Sequence, residues 1–106
     1  MSQPCQRIAL CQPDAVGVGQ VIRIEKGELT LAVFNLNGQF HVTDDACTHG
    51  PGSLSEGSVE GELVVCDFHG GAFNIRTGEV AEPPCMVALK TYRTLIDAEG
   101  CVAIEV

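Results

Sequence analysis

Positive charge is scarce in this chain: six Lys and Arg stand against 14 Asp and Glu, a formal net charge of −8. Binding to nucleic-acid phosphates or to anionic lipid heads needs a cationic surface, so neither function class fits. Acidity of this degree favours solubility, and it also steers encounters toward a basic partner. Long hydrophobic runs are missing as well. Met1 to Ala15 is interrupted by Pro4, Gln6, Arg7, Gln12, Pro13 and Asp14 and so lacks the apolar core of a secretory signal. No stretch approaches the roughly 20 apolar residues that span a bilayer. A cytoplasmic location with no membrane association is the expectation, and there thiols stay reduced. Composition shows no linker, repeat or low-complexity tract, which leaves one domain over residues 1–106. A domain of this size has little interior for an enclosed substrate cavity, whereas a cofactor at its edge is easily housed.

No segment keeps a helical period for three turns, so the expected fold class is all-β. Arg7 to Cys11, Gln20 to Glu25 and Leu29 to Asn35 read as strands, with a turn at Lys26-Gly27 between the last two. Asn37-Gly38 is the strongest hairpin signal, because a type I′ turn requires positive φ at both central residues. Gln39 to Thr43 is the return strand. Residues 44–61 lose all alternation, with glycines at 50, 52, 57 and 61, and read as a long loop. Glu62 to Val65 and Ala72 to Ile75 read as strands around a second loop, Cys66 to Gly71, followed by a turn at Thr77-Gly78. Pro83-Pro84 stiffens a third loop, about 82–86. Lys90 to Asp97 and Cys101 to Val106 read as strands joined through Glu99-Gly100.

Loops this long in a compact domain bind something or are disordered. Both carry metal-ligand residue types. Cys47-Thr48-His49 is followed, after sixteen intervening residues, by Cys66-Asp67-Phe68-His69. Each loop offers one thiolate and one imidazole, a set that suits either of two metals. A structural zinc ion accepts two cysteines and two histidines, but common zinc modules draw on Cys-x-x-Cys and on paired histidines. Here every pair is mixed. Mixed pairs let each loop give its cysteine to one iron and its histidine to the other, which favours a diiron-sulfide centre over zinc.

Asp45-Ala46-Cys47-Thr48-His49-Gly50, Leu54-Ser55-Glu56-Gly57 and Cys66-Asp67-Phe68-His69-Gly70-Gly71-Ala72-Phe73 resemble the two cluster-binding loops of Rieske proteins. Pro83-Pro84 is similar to the family's proline loop. The resemblance covers nearly the whole chain and is closest to the Rieske-type ferredoxins of bacterial aromatic-ring hydroxylating dioxygenase systems. It implies an antiparallel β-sandwich with a small cluster-binding subdomain built from loops at about 44–61 and 66–74. It also implies one [2Fe-2S] cluster, with Cys47 and Cys66 on one iron and His49 and His69 on the other, outer iron. Electrons would leave through the histidines. The implied role is that of an electron carrier, not an enzyme. Its partners would be an NAD(P)H-dependent flavoprotein ferredoxin reductase and a terminal oxygenase of the Rieske non-haem iron type. It would act as a monomer, with Gly50, Pro51 and Gly70 lining a small docking patch.

Departures within the family carry information too. High-potential Rieske proteins have an extra cysteine in each loop, where this chain has Gly52 and Phe68, and cluster-directed hydroxyls where it has Gly71 and Phe73. With fewer hydrogen bonds to sulfur the reduced state is less stabilised, which implies a potential near the low end of the family's range, about −150 mV.

The remaining residues read more plainly. Gly50, Gly70 and Gly71 let the backbone approach sulfur closely or simply form turns. Leu54, Phe68 and Phe73 either screen the cluster or pack the core. Cys5, Cys11, Cys85 and Cys101 read as buried, reduced structural thiols. His41 reads as a solvated surface residue, and Asp44 and Asp45 as strand-end caps. Three other functions compete with the shuttle. A catalytic oxygenase subunit needs a further two-histidine, one-carboxylate iron site, and the chain's three histidines do not stretch to it. A zinc-stabilised interaction module and a small Rieske-fold subunit of another reductase stand as alternatives.

Overall fold

A computed structural model of the chain describes residues 7–46, 52–66, 71–82 and 87–105. Ten strands follow in order: β1 (Arg7–Cys11), β2 (Val21–Lys26), β3 (Leu29–Leu36), β4 (Gln39–Asp44), β5 (Ser58–Glu60), β6 (Leu63–Val65), β7 (Ala72–Asn74), β8 (Val80–Glu82), β9 (Thr91–Ile96) and β10 (Val102–Glu105). Single 3-10 turns occupy Pro13–Ala15 and Leu54–Glu56. No helix among the described residues is long and apolar enough to cross a membrane.

Six strands form one antiparallel sheet in the order β1-β10-β9-β4-β3-β2, and four form a second in the order β5-β6-β7-β8. Strand β3 explains how the two are joined. Its Leu31 and Val33 face a cluster that draws on all six strands of the larger sheet, including Leu10, Val42, Val102 and Ile104. Its Ala32, Phe34 and Leu36 face the opposite way, onto Val64, Phe73 and Ile75 of the smaller sheet. A strand buried on both faces needs an unbroken apolar run, and Leu29 to Leu36 supplies one apart from Thr30 and Asn35. The larger sheet therefore curls around one core while its outer face carries the smaller sheet on another.

The turns follow their residues. Asn37 and Gly38 have φ of 53° and 88°, as a type I′ turn requires, and the buried Asn35 accepts the Gly38 N–H at 2.8 Å. The same Asn35 amide donates to the Val16 carbonyl at 2.7 Å, which pins the Pro13–Ala15 turn over the sheet.

Two strands fall where loop was expected. Ser58–Glu60 pairs with β6 inside the 44–61 segment, and Val80–Glu82 pairs with β7 after the Thr77-Gly78 turn. The smaller subdomain is thus a four-stranded sheet carrying loops, rather than loops alone. Gly57 is what lets it close. Its φ of −83° suits any residue, but a Cβ there would collide with the Val65 carbonyl oxygen. Close backbone approach, not torsional freedom, demands glycine at this point.

Two further expectations are corrected. His41 is half-buried, because its cross-strand partner is Phe34, whose face meets the smaller sheet. The His41 Nε2 is enclosed and has no hydrogen-bond partner among the described residues. Burial lowers the imidazole pKa, as does Arg76 nearby, with Glu62 acting in the opposite sense. Cys11 and Cys101 are half-buried rather than buried, since both lie where β1 and β10 end against a bulge. Burial raises the Cys11 pKa, with Cys101 adding to it, and the Cys101 Sγ accepts from the Gln12 side-chain amide at 3.3 Å. Cys5 and Cys85, like the Pro83-Pro84 loop, lie outside the described residues.

Candidate metal centre

Of the four expected ligands the described residues contain Cys66. Cys47, His49 and His69 lie outside them, as do Phe68, Gly50, Pro51 and Gly70. What the structure does fix is the stem of each ligand-bearing loop.

The first stem is built on the end of β4. Ala46 forms an isolated antiparallel bridge with Ser53, and the Leu54 N–H donates to the Asp45 carbonyl at 2.7 Å. These contacts bring residues 46 and 53 side by side, so the segment carrying Cys47 and His49 begins and ends at one place. The Asp45 side chain, 2% exposed, accepts the Ser55 N–H at 2.8 Å, and its own N–H donates to Thr30 at 3.0 Å. Asp45 therefore caps the strand end, as expected, and also ties the far side of the loop to it. Asp44 plays a related part by accepting from the Tyr92 hydroxyl at 2.6 Å.

The second stem is built on β6 and β7. The Cys66 N–H donates to the Gly71 carbonyl at 2.7 Å, one step beyond the Val65↔Ala72 pair, which closes a hairpin around the segment carrying His69. Cys66 is 1% exposed. It belongs to the same apolar cluster as Leu54 and Phe73, both fully buried. Leu54 follows the first stem directly, so that cluster joins the two stems. The fold thus seats the two stems on one apolar core, with Cys66 buried at the second of them. A soft anionic ligand shielded from water on one side suits a thiolate-held metal centre. Leu54 and Phe73 pack the core beneath it, which accommodates both roles anticipated for them.

A groove of about 290 Å³ is lined by Val18, Leu36, Val59, Glu62 and Arg76 among others, and includes no expected ligand. Among the described residues no group of three or more His, Cys, Asp and Glu is placed to hold a metal ion.

The stems and the buried Cys66 match what a known domain requires. Residues 6–93 match the model of the Rieske [2Fe-2S] domain. The chain belongs to the Rieske [2Fe-2S] family. Its cofactor is one Rieske-type [2Fe-2S] cluster, and the zinc alternative left open by ligand spacing falls away. Among relatives, the ferredoxin CarAc of Metapseudomonas resinovorans is 42% identical over 100 residues, covering 92% of this chain and 94% of its own. The ferredoxin subunit of biphenyl dioxygenase from Pseudomonas sp. (strain KKS102) is 41% identical over 88 residues, covering 82% and 81%. In a solved complex of reduced oxygenase and oxidised ferredoxin of carbazole 1,9a-dioxygenase, one chain superposes with a TM-score of 0.86 at 39% identity, covering 92% of this chain and 91% of that one. These relatives are Rieske ferredoxins, carriers rather than catalysts.

Sequence reading placed Asp45 at a strand end and left Arg23 aside. The structure brings them to 4.0 Å, a pairing between β2 and the end of β4 that no spacing rule reveals.

Proposed function

We propose that this protein is the ferredoxin component of an aromatic-ring hydroxylating dioxygenase system. It takes single electrons from an NAD(P)H-dependent flavoprotein reductase and delivers them to a terminal oxygenase of the Rieske non-haem iron type. The observation that carries this reading is the likeness, over 82% and 92% of this chain, to ferredoxins of biphenyl and carbazole dioxygenase systems, joined to a buried Cys66 in the apolar cluster that both loop stems share. Cys47 and Cys66 would hold one iron of the cluster and His49 and His69 the other, and the cluster would supply a one-electron couple. The chain works as a single domain over 1–106, a cytoplasmic monomer that meets its partners at the loop end through Gly50, Pro51 and Gly70.

The chain's own residues do the rest: the Leu54 and Phe73 side chains keep water from the inner side, and the stem hydrogen bonds hold both loops in register. At residues 71 and 73 the chain offers glycine and a fully buried phenylalanine, neither with a hydroxyl to donate to sulfur. That supports a midpoint near −150 mV, at the low end for His/Cys ligation.

Iron and acid-labile sulfide analysis of the purified protein tests the reading. Two of each per chain, with the low average g value of mixed His/Cys ligation after reduction, are expected. A single zinc would overturn it. His69→Cys should retain a cluster of lower potential, because a thiolate replaces a neutral ligand. An unchanged midpoint would remove His69 from the ligand set.

A further inference from the structure

Asp45 places an acidic side chain where its described hydrogen bond asks only for an acceptor. Its side chain is 2% exposed, and its one side-chain hydrogen bond among the described residues comes from the Ser55 N–H at 2.8 Å. Asparagine offers an acceptor oxygen of the same reach without the desolvation cost of an anion. Arg23, on the edge strand β2 beyond β3, has its Nε 4.0 Å from the carboxylate and is half exposed and shared with Glu25 at 3.4 Å. The pair is too long for a strong direct bond, so Arg23 offsets the charge without cancelling it. Among the described residues, hydrogen bonding therefore accounts for an acceptor at this position and not for an acidic one.

The position suggests what the charge does. Asp45 stands two residues before Cys47, and its backbone and side chain bond to Leu54 and Ser55, the first of which packs in one cluster with Cys66. A fixed anion in a dry setting acts over several ångströms with little screening. Adding an electron beside it is disfavoured.

We infer that Asp45 is a positioning residue for electron transfer: it clamps the first loop stem and, with Arg23 as partial counter-charge, holds the reduction potential down. The inference rests on the reading of Cys47 as a cluster ligand. It is distinct from the shortage of hydroxyl donors at residues 71 and 73, since it works through charge.

The test is the midpoint potential of the cluster-loaded protein, followed optically, in wild type, Asp45→Asn, Arg23→Gln and the double variant. Asp45→Asn should raise the midpoint and Arg23→Gln should lower it by a smaller amount. The double variant should fall between wild type and Asp45→Asn, because removing the partial counter-charge takes back only part of the rise. A purely structural clamp would shift none of these in opposite senses. If Asp45→Asn does not hold a cluster, Arg23→Gln decides alone: it alters an exposed strand position, and a midpoint equal to or above wild type overturns the inference. Two single variants shifting in the same direction overturn it as well. Wild-type protein that binds no cluster would overturn both this inference and the ligand assignment. A loaded wild type with unmoved variants overturns this one only.

Discussion

The Tyr92 hydroxyl donates a 2.6 Å hydrogen bond to the Asp44 carboxylate, tying β9 to the end of β4 three residues before Cys47. The ring also lies 5.1 Å from the Lys90 ammonium. Tyr92 thereby braces the same strand end from which the first loop departs.

That bond should be visible in a titration. Burial first, then the hydrogen bond to Asp44 and the carboxylate's charge, raise the phenol pKa far above its ordinary value of about 10. The folded state holds its proton longer than the unfolded one. This contribution to stability is whole below about pH 10 and is lost as pH rises toward the folded value. The chain has one tyrosine and no tryptophan, so its ultraviolet phenolate band reports this residue alone. Native protein should show no phenolate at pH values where the urea-unfolded chain already does, and Asp44→Asn should bring the native titration down. A native midpoint near 10 would refute the arrangement.

His41 gives a pH dependence of opposite sense. Its folded pKa lies below 6.5, chiefly through burial, so between the two values the unfolded chain binds the extra proton more readily. Stability is full above about pH 6.5 and declines as pH falls toward the folded value. Urea midpoints of wild type and His41→Gln, compared at about pH 7.5 and 5.5, should show a larger acid loss in wild type. Equal losses would mean that the imidazole is solvated.

Leu54 links the first loop stem to the cluster containing Cys66 and is fully buried. Leu54→Ala should cost about 2–5 kcal/mol in denaturant unfolding, the range for cavities of this kind. The loaded variant should also bleach faster in air than wild type, since water then reaches the inner side. A loss under about 1 kcal/mol would place Leu54 outside the core.

Much of this structure was legible in the residues. β1 occupies the expected Arg7 to Cys11, and the Asn37-Gly38 turn forms as read, because local chemistry decides both. Cys-x-His and Cys-x-x-His favoured iron-sulfide over zinc, and the wider likeness of both loops to Rieske proteins named the cluster. Ser58–Glu60 and Val80–Glu82 were missed. Each is a three-residue edge strand, largely exposed, whose strand character comes from its neighbour rather than from its own pattern. His41 was misjudged for a related reason: alternation tells which residues share a face, but not that a second sheet covers the outer one. Asp45 and Arg23 meet only through tertiary structure.

The pairing of β1 with β10 has a consequence for folding. Arg7 lies opposite Glu105, so the larger sheet is bordered by a strand whose partner lies 98 residues further along the chain. The β2–β3–β4 meander can form early from local turns, whereas β1 stays an unpaired edge until β10 joins it. Closure over so long a separation is slow on the scale of helical domains. The β1 edge is therefore expected to be the last part of the larger sheet to order during folding.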